Sequence, residues 1–142
     1  MPTPGARAGV RILLVHDDPT VGDACSRALR LDGHEVWAAL TLEEGLKLAR
    51  AHQPQAVLVD VRVPLASGVR LSRALRELPA LAATPLALVT GDRHPAPAAI
   101  ESLRNLDVQL RHKPVWLEEL VDLARSLVRQ AAAGIRSSEA LS

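Results

Sequence analysis

The chain has no phenylalanine and no tyrosine, and it carries only two tryptophans and one cysteine in 142 residues. A core without those aromatics must be aliphatic, built from Leu, Val, Ile and Ala, and stacking platforms for nucleic-acid bases are missing. The lone Cys25 excludes an internal disulfide. Among helix-forming neighbours it reads as a small buried hydrophobe, and a reducing compartment is expected. Neither sign of charge dominates, with 17 Lys and Arg facing 16 Asp and Glu, so charge supplies no footprint for nucleic acid or an anionic membrane. No apolar run approaches the roughly 20 residues of a membrane span, and Met1 to Gly9 lacks the apolar segment of a signal peptide. A soluble, cytoplasmic protein is expected, of a length that fits one folded domain.

What the chain does have is a regular alternation of short apolar runs and amphipathic stretches. Arg11 to Val15 reads as a buried strand, followed by a helix from Thr20 with Val21, Ala24, Cys25, Ala28 and Leu29 at helical spacing and Gly33 as its stop. Glu35 to Ala38 is a second strand. Thr41 and Glu44 then form a capping box for a helix that buries Leu42, Leu46 and Ala49 before Pro54. Ala56 to Val59 is a third strand ending in Asp60, followed by a helix from about Ser67, itself the expected cap, to Leu78. Pro85 to Val89 is a fourth strand, ending in Thr90, and a weak helix follows from Ala98 to Leu106. Val108 to Arg111 is a fifth strand before His112, Lys113 and Pro114, and the stripe Leu117, Leu120, Val121, Ala124, Leu127 and Val128 marks the last helix. Residues 1–9 are rich in breakers and read as a flexible lead, 10–130 as the folded domain, and 131–142 as a flexible tail. Five strands alternating with five helices predict an α/β fold with a doubly wound parallel sheet covered on both faces; the flavodoxin-like order 2-1-3-4-5 is the winding chosen for it.

In that winding the first and third strands are neighbours, so Asp17 and Asp18 meet Asp60 at the switch point. Clustered carboxylates repel each other unless a cation sits between them. Hard oxygen donors, without cysteine or paired histidines, suggest magnesium, whose shell keeps waters and shares phosphate oxygens. Thr90 offers a hydroxyl and Lys113 a point charge, both suited to a phosphoryl group on Asp60.

These strand-end residues, from Arg11 to Arg129, resemble the receiver domain of two-component response regulators, similar in outline to the single-domain chemotaxis regulator. In that family an acidic pair follows the first strand, a phosphoacceptor Asp ends the third, and a Thr or Ser and a Lys-Pro end the fourth and fifth. The resemblance implies that Asp60 is the phosphoacceptor and that Asp17 and the backbone carbonyl of Arg62 join it in holding magnesium. It implies that Thr90 and Lys113 bind phosphoryl oxygens and that Pro114 follows a cis bond. Pro64, Gly68 and Gly91 match the family's loops. The implied function is a single-domain regulator without turnover of an external substrate. It takes its phosphoryl group from a sensor histidine kinase or a phosphotransfer protein and signals by binding a downstream protein, with no direct contact to nucleic acid or membrane.

The chain also departs from the family pattern. His16 occupies the first acidic position, where an imidazole can orient a metal-bound water but brings no negative charge; manganese or zinc is the softer-ion alternative. A shifted alignment with Asp17 and Asp18 as the acidic pair fits the flanking residues less well. Leu110 stands where the family commonly places a switching aromatic, and Trp116 where a helix cap belongs, either packing locally or anchoring an interface on the output face. Arg62 and Asp92 flank the site entrance and are placed to pair across it. His16 and Leu110 favour a rival, a pseudo-receiver that binds partners without phosphorylation. A small flavin- or nucleotide-binding enzyme on the same winding is disfavoured by the absence of a Gly-rich loop after the first strand. Because a protonated His16 opposes a cation, magnesium affinity should fall between neutral and acid pH; a titration showing equal affinity at both would exclude that role.

Overall fold

Successive residues of the central strands point to opposite sides of the sheet, and each side meets its own aliphatic layer. The computed structural model of the protein describes residues 9–113 and 115–141. Five strands, β1 (Arg11–His16), β2 (Glu35–Ala39), β3 (Ala56–Asp60), β4 (Leu86–Thr90) and β5 (Gln109–His112), alternate with five helices. These are α1 (Pro19–Leu31), α2 (Leu42–His52), α3 (Leu65–Glu77), α4 (Pro97–Asn105) and α5 (Leu117–Leu141). Every strand pair is parallel and the order is β2-β1-β3-β4-β5, the winding that the sequence predicts.

Ile12, Leu14, Leu58, Ala87 and Val89 form one layer with Cys25 and Leu29 of α1 and Leu120 and Leu127 of α5. Leu13, Val15, Val57, Val59 and Leu88 form the other with Ala49 of α2, Leu71 and Leu75 of α3, and Leu103 of α4. Strands covered on both faces need apolar residues at nearly every position, which is why the central strands β1, β3 and β4 read as continuous hydrophobic runs while the edge strands β2 and β5 do not. Cys25 is fully buried, and burial pushes its thiol up to about 11 against the lowering effect of Arg125. It is the inert small hydrophobe that the sequence suggests.

Local chemistry sets the element ends. The Asp18 carboxylate accepts the N–H groups of Thr20 and Val21 and caps α1. Thr41 accepts the N–H of Glu44 and caps α2. Gly45, inside α2, has no room for a side chain, because a Cβ there would lie 2.7 Å from Cγ2 of Val15. Two expectations need correction. α3 starts at Leu65, directly after Pro64. Ser67 is therefore already inside the helix, its N–H bonded to the Pro64 carbonyl and its hydroxyl accepting from Arg70, and it caps nothing. The segment expected to trail off after residue 130 continues α5 to Leu141, because alanines favour helix and Ala131 is still buried in the first layer. Residues 1–8 of the lead, the expected cis bond at Pro114, and Ser142 lie outside the described residues.

One half-buried cation ties three connections together at the far end of the sheet. The Arg76 guanidinium donates to the carbonyls of Leu106 and Leu81 at 2.8 Å, Thr84 at 2.6 Å and Asp107 at 3.1 Å. It thereby joins the end of α3 to the approach to β4 and to the turn before β5. Replacing Arg76 with Leu strips all four carbonyls of their donor and should cost about 2–3 kcal/mol. A lowered urea midpoint with an unchanged slope is the expected result; Arg76→Lys should recover only part, because an ammonium cannot reproduce the planar fork.

Candidate functional site

Parallel pairing of β1 with β3 sets His16 directly opposite Asp60. Both follow, by strand alternation, the layer of Leu14 and Leu58, so their side chains leave the sheet on the same side at its C-terminal edge. This is the edge, and the point of reversal in strand order, at which open α/β sheets bind ligands. Asp60 is 5% exposed and His16 8%. The Lys113 Nζ lies 3.0 Å from Asp60 Oδ1, and the His16 Nε2 lies 3.4 Å from Oδ2. The other ring nitrogen of His16, Nδ1, accepts the N–H of Asp18 at 3.1 Å. A neutral imidazole that accepts at Nδ1 carries its proton on Nε2, so the proton faces the carboxylate.

Burial alone raises the pKa of Asp60, but the hydrogen bond of His16 and the charge of Lys113 together outweigh it, and the carboxyl is held below its ordinary value. Oδ1 faces the Lys113 ammonium without a well-directed hydrogen bond among the described residues. A buried, ionised carboxylate with an incompletely satisfied oxygen is suited to nucleophilic attack.

The neighbouring acids have different tasks. Asp17 Oδ2 accepts the backbone N–H of Arg62 at 2.7 Å and lies 3.9 Å from the Arg62 Nε, so it bridges the loops after β1 and β3. Asp18 caps α1, and the residue facing Asp60 across β1 is His16. His16, Asp17, Asp60, Arg62, Lys113 and Trp116 line one open cleft of about 790 Å³. Arg93 lines it too. No sequence signal marked Arg93, an ordinary loop charge that only the fold brings to the cleft.

Thr90 stands apart from this group. It follows Leu88 in the alternation of β4, lines a small cavity with Leu65, Gly68 and Leu88, and its hydroxyl accepts the N–H of Asp92 at 3.1 Å. Arg62 and Asp92 share an adjoining hollow with Lys113 but do not pair. Arg62 turns toward Asp17, and the Asp92 carboxylate accepts the N–H of His94. Trp116 is 68% exposed, so it does not pack over α5. The Trp116 N–H donates instead to the Glu119 carboxylate at 3.4 Å, a cap supplied from within the helix. Leu110 is half-buried against the second layer and lines a groove beside α5.

The donor set fits magnesium. Asp17 and Asp60, which line one cleft, offer hard oxygens, and this ion needs only one or two carboxylates because it keeps several waters. Among the described residues no three His, Cys, Asp or Glu side chains converge on a point, so the nitrogen and sulfur cage that zinc prefers is not assembled.

A carboxylate whose pKa is depressed on folding contributes stability above its unfolded value, and loses it as pH falls through the folded one. Carboxyl carbon NMR should therefore find Asp60 ionised below about 3.9, the ordinary aspartate value. In Lys113→Met the burial effect should prevail and the midpoint should move upward; an unmoved midpoint would refute the role assigned to Lys113.

Comparison with known proteins gives these residues their context. A family profile described as the response regulator receiver domain matches residues 12–125. The response regulator MprA of Mycolicibacterium vanbaalenii is 34% identical over 128 residues, covering 85% of this chain and 51% of that protein. The transcriptional regulatory protein PrrA of Mycobacterium tuberculosis is 30% identical over 128 residues, covering 90% of this chain and 54% of that protein. The chain thus spans about half the length of the curated relatives it matches. Among solved structures, the chemotaxis response regulator CheY4 of Vibrio cholerae shares the fold at a TM-score of 0.69 and 21% identity, with 84% of this chain and 99% of that one covered. A CheY-like receiver domain protein from Methanospirillum hungatei also reaches 0.69, at 25% identity, with 89% and 99% covered. A profile that reaches from β1 into α5, relatives at 30% identity or more, and the five-stranded winding lead to one conclusion: the chain belongs to the response regulator receiver domain family of two-component signalling.

Proposed function

We propose that Asp60 accepts a phosphoryl group from a phosphohistidine, on a sensor histidine kinase or a phosphotransfer protein, and that the chain signals by binding a downstream protein according to that state. The observation that carries this reading is the buried, ionised Asp60 carboxylate with Lys113 3.0 Å from one of its oxygens. An Asp60 oxygen attacks phosphorus, the bond to the donor nitrogen breaks, and an acyl phosphate forms. Lys113 stays beside the group and offsets its charge, so catalysis is mainly positioning and electrostatics. Magnesium, held by Asp17, Asp60 and the Arg62 carbonyl, would supply further positive charge against the phosphoryl oxygens. Thr90 would exchange its bond from the Asp92 N–H for one to the phosphoryl group, and with it alter the loop after β4. Arg62 and Asp92 at the entrance govern how readily water reaches the acyl phosphate.

The output face in this reading includes Leu110 and Trp116. With Leu110 in place of an aromatic, the switch in this reading rests on Thr90 and the β4–α4 loop without an aromatic partner. Among the described residues no helix is long and apolar enough to cross a membrane, and action in the cytoplasm belongs to the same proposal. PrrA is by name a transcriptional regulator, and this chain covers 54% of it. The balanced charge of the present chain supports protein rather than nucleic-acid contacts for the receiver itself, whatever output unit its longer relatives carry.

A second reading, a receiver that binds partners without being phosphorylated, is favoured by one observation, the His16 Nε2 that lies 3.4 Å from Asp60 Oδ2 in place of a second acid. Incubation with magnesium and acetyl phosphate, followed by intact mass, separates the two. The expected result is one phosphoryl adduct on the parent and none on Asp60→Asn. An unmodified parent, with manganese also tried, would establish the phosphorylation-independent module.

A further inference from the structure

His16 is held at one end of its ring and faces Asp60 with the other. Its Nδ1 takes the Asp18 N–H at 3.1 Å, and that amide belongs to the residue whose own carboxylate caps α1. The ring is therefore fixed to the start of a helix rather than to a mobile loop. Its Nε2 proton then has one acceptor at hand, Asp60 Oδ2 at 3.4 Å. Lys113 occupies the other side of the carboxylate, at Oδ1. Both oxygens of Asp60 thus face a donor from the chain itself.

A ring N–H and a divalent cation cannot both approach Oδ2 along the same direction. We propose that His16 is a positioning residue that competes with the divalent cation for the Asp60 carboxylate, as a neutral donor locked in its Nε2–H tautomer by the Asp18 amide. This goes beyond the absence of an acid at position 16. A missing negative charge only weakens attraction, whereas a resident donor must be displaced. The inference rests on the reading of Asp17 and Asp60 as the cation site.

The two effects are separable, because His16→Ala removes the donor without adding charge. Magnesium would be titrated at mildly alkaline pH, where imidazoles are neutral, and followed by the fluorescence of Trp116, which borders the cleft. Trp37 is stacked on His52 at β2 and does not line the cleft. If His16 competes, His16→Ala should bind magnesium at least about threefold more tightly than the parent, the worth of one net hydrogen bond. Affinity equal to or below that of the parent would overturn the proposal. His16→Asp should tighten binding in either case and shows that the reporter responds. Magnesium affinity unaffected by Asp17→Asn would overturn the cation site itself, and the competition with it. Imidazole nitrogen NMR on the parent chain gives a second, mutation-free readout. The metal-free protein should show His16 protonated on Nε2, and that resonance should move on adding magnesium chloride; a proton on Nδ1, or no movement at saturation, would refute the competition.

Discussion

A buried carboxylate at the end of the central strand is the constraint on which this site depends. Asp60 has almost no contact with water, and an unpaired charge in that position is costly unless the chain compensates it. Two elements distant in sequence supply the compensation, Lys113 after β5 and His16 at the end of β1. Neither lies near Asp60 along the chain. Each reaches it because the strands are parallel and all their C-terminal ends open on one edge.

The same requirement accounts for much of the local architecture. α1 begins at the Asp18 cap, and the Asp18 amide orients the His16 ring. Asp17 ties the loop after β3 to the loop after β1 through the Arg62 amide. Lys113 is tied back to β4 by its own N–H on the Thr90 carbonyl at 2.8 Å. The three loops carrying the site are thus joined through short polar contacts to rigid strand ends, which places reactive groups more exactly than mobile loops can. The apolar layers on either side of the sheet hold those ends in position, and Arg76 secures the opposite end by a separate set of bonds.

Most of the fold was legible because its signals are local and redundant. Strand positions covered on both faces must all be apolar, so β1, β3 and β4 announce themselves as uninterrupted aliphatic runs, and helical stripes separate them. Element ends were less legible. Pro64 admits α3 earlier than Ser67 suggested, and the alanines after residue 130 lengthen α5 where composition alone looked like a tail. Within the site, Asp60, Asp17 and Lys113 could be found from their places after apolar runs. Arg93 could not, since a loop charge carries no periodicity. The pairing anticipated between Arg62 and Asp92 failed because the Arg62 guanidinium lies beside the Asp17 carboxylate, while the Asp92 carboxylate accepts the N–H of His94.

The amino-acid sequence by itself determined the alternation of strands and helices, the composition of the core and which residues stand at strand ends, because hydrophobic periodicity follows from the local chemistry of the chain. Only the tertiary structure decided which of those residues touch. The register of β1 against β3 made His16, and not Asp18, the partner of Asp60, the alternation of β4 turned Thr90 away from the cleft, and the Asp18 amide chose the tautomer of His16. Such choices depend on distances of a few tenths of a nanometre between segments far apart in the chain, where hydrogen-bond direction and burial act and sequence spacing carries no information.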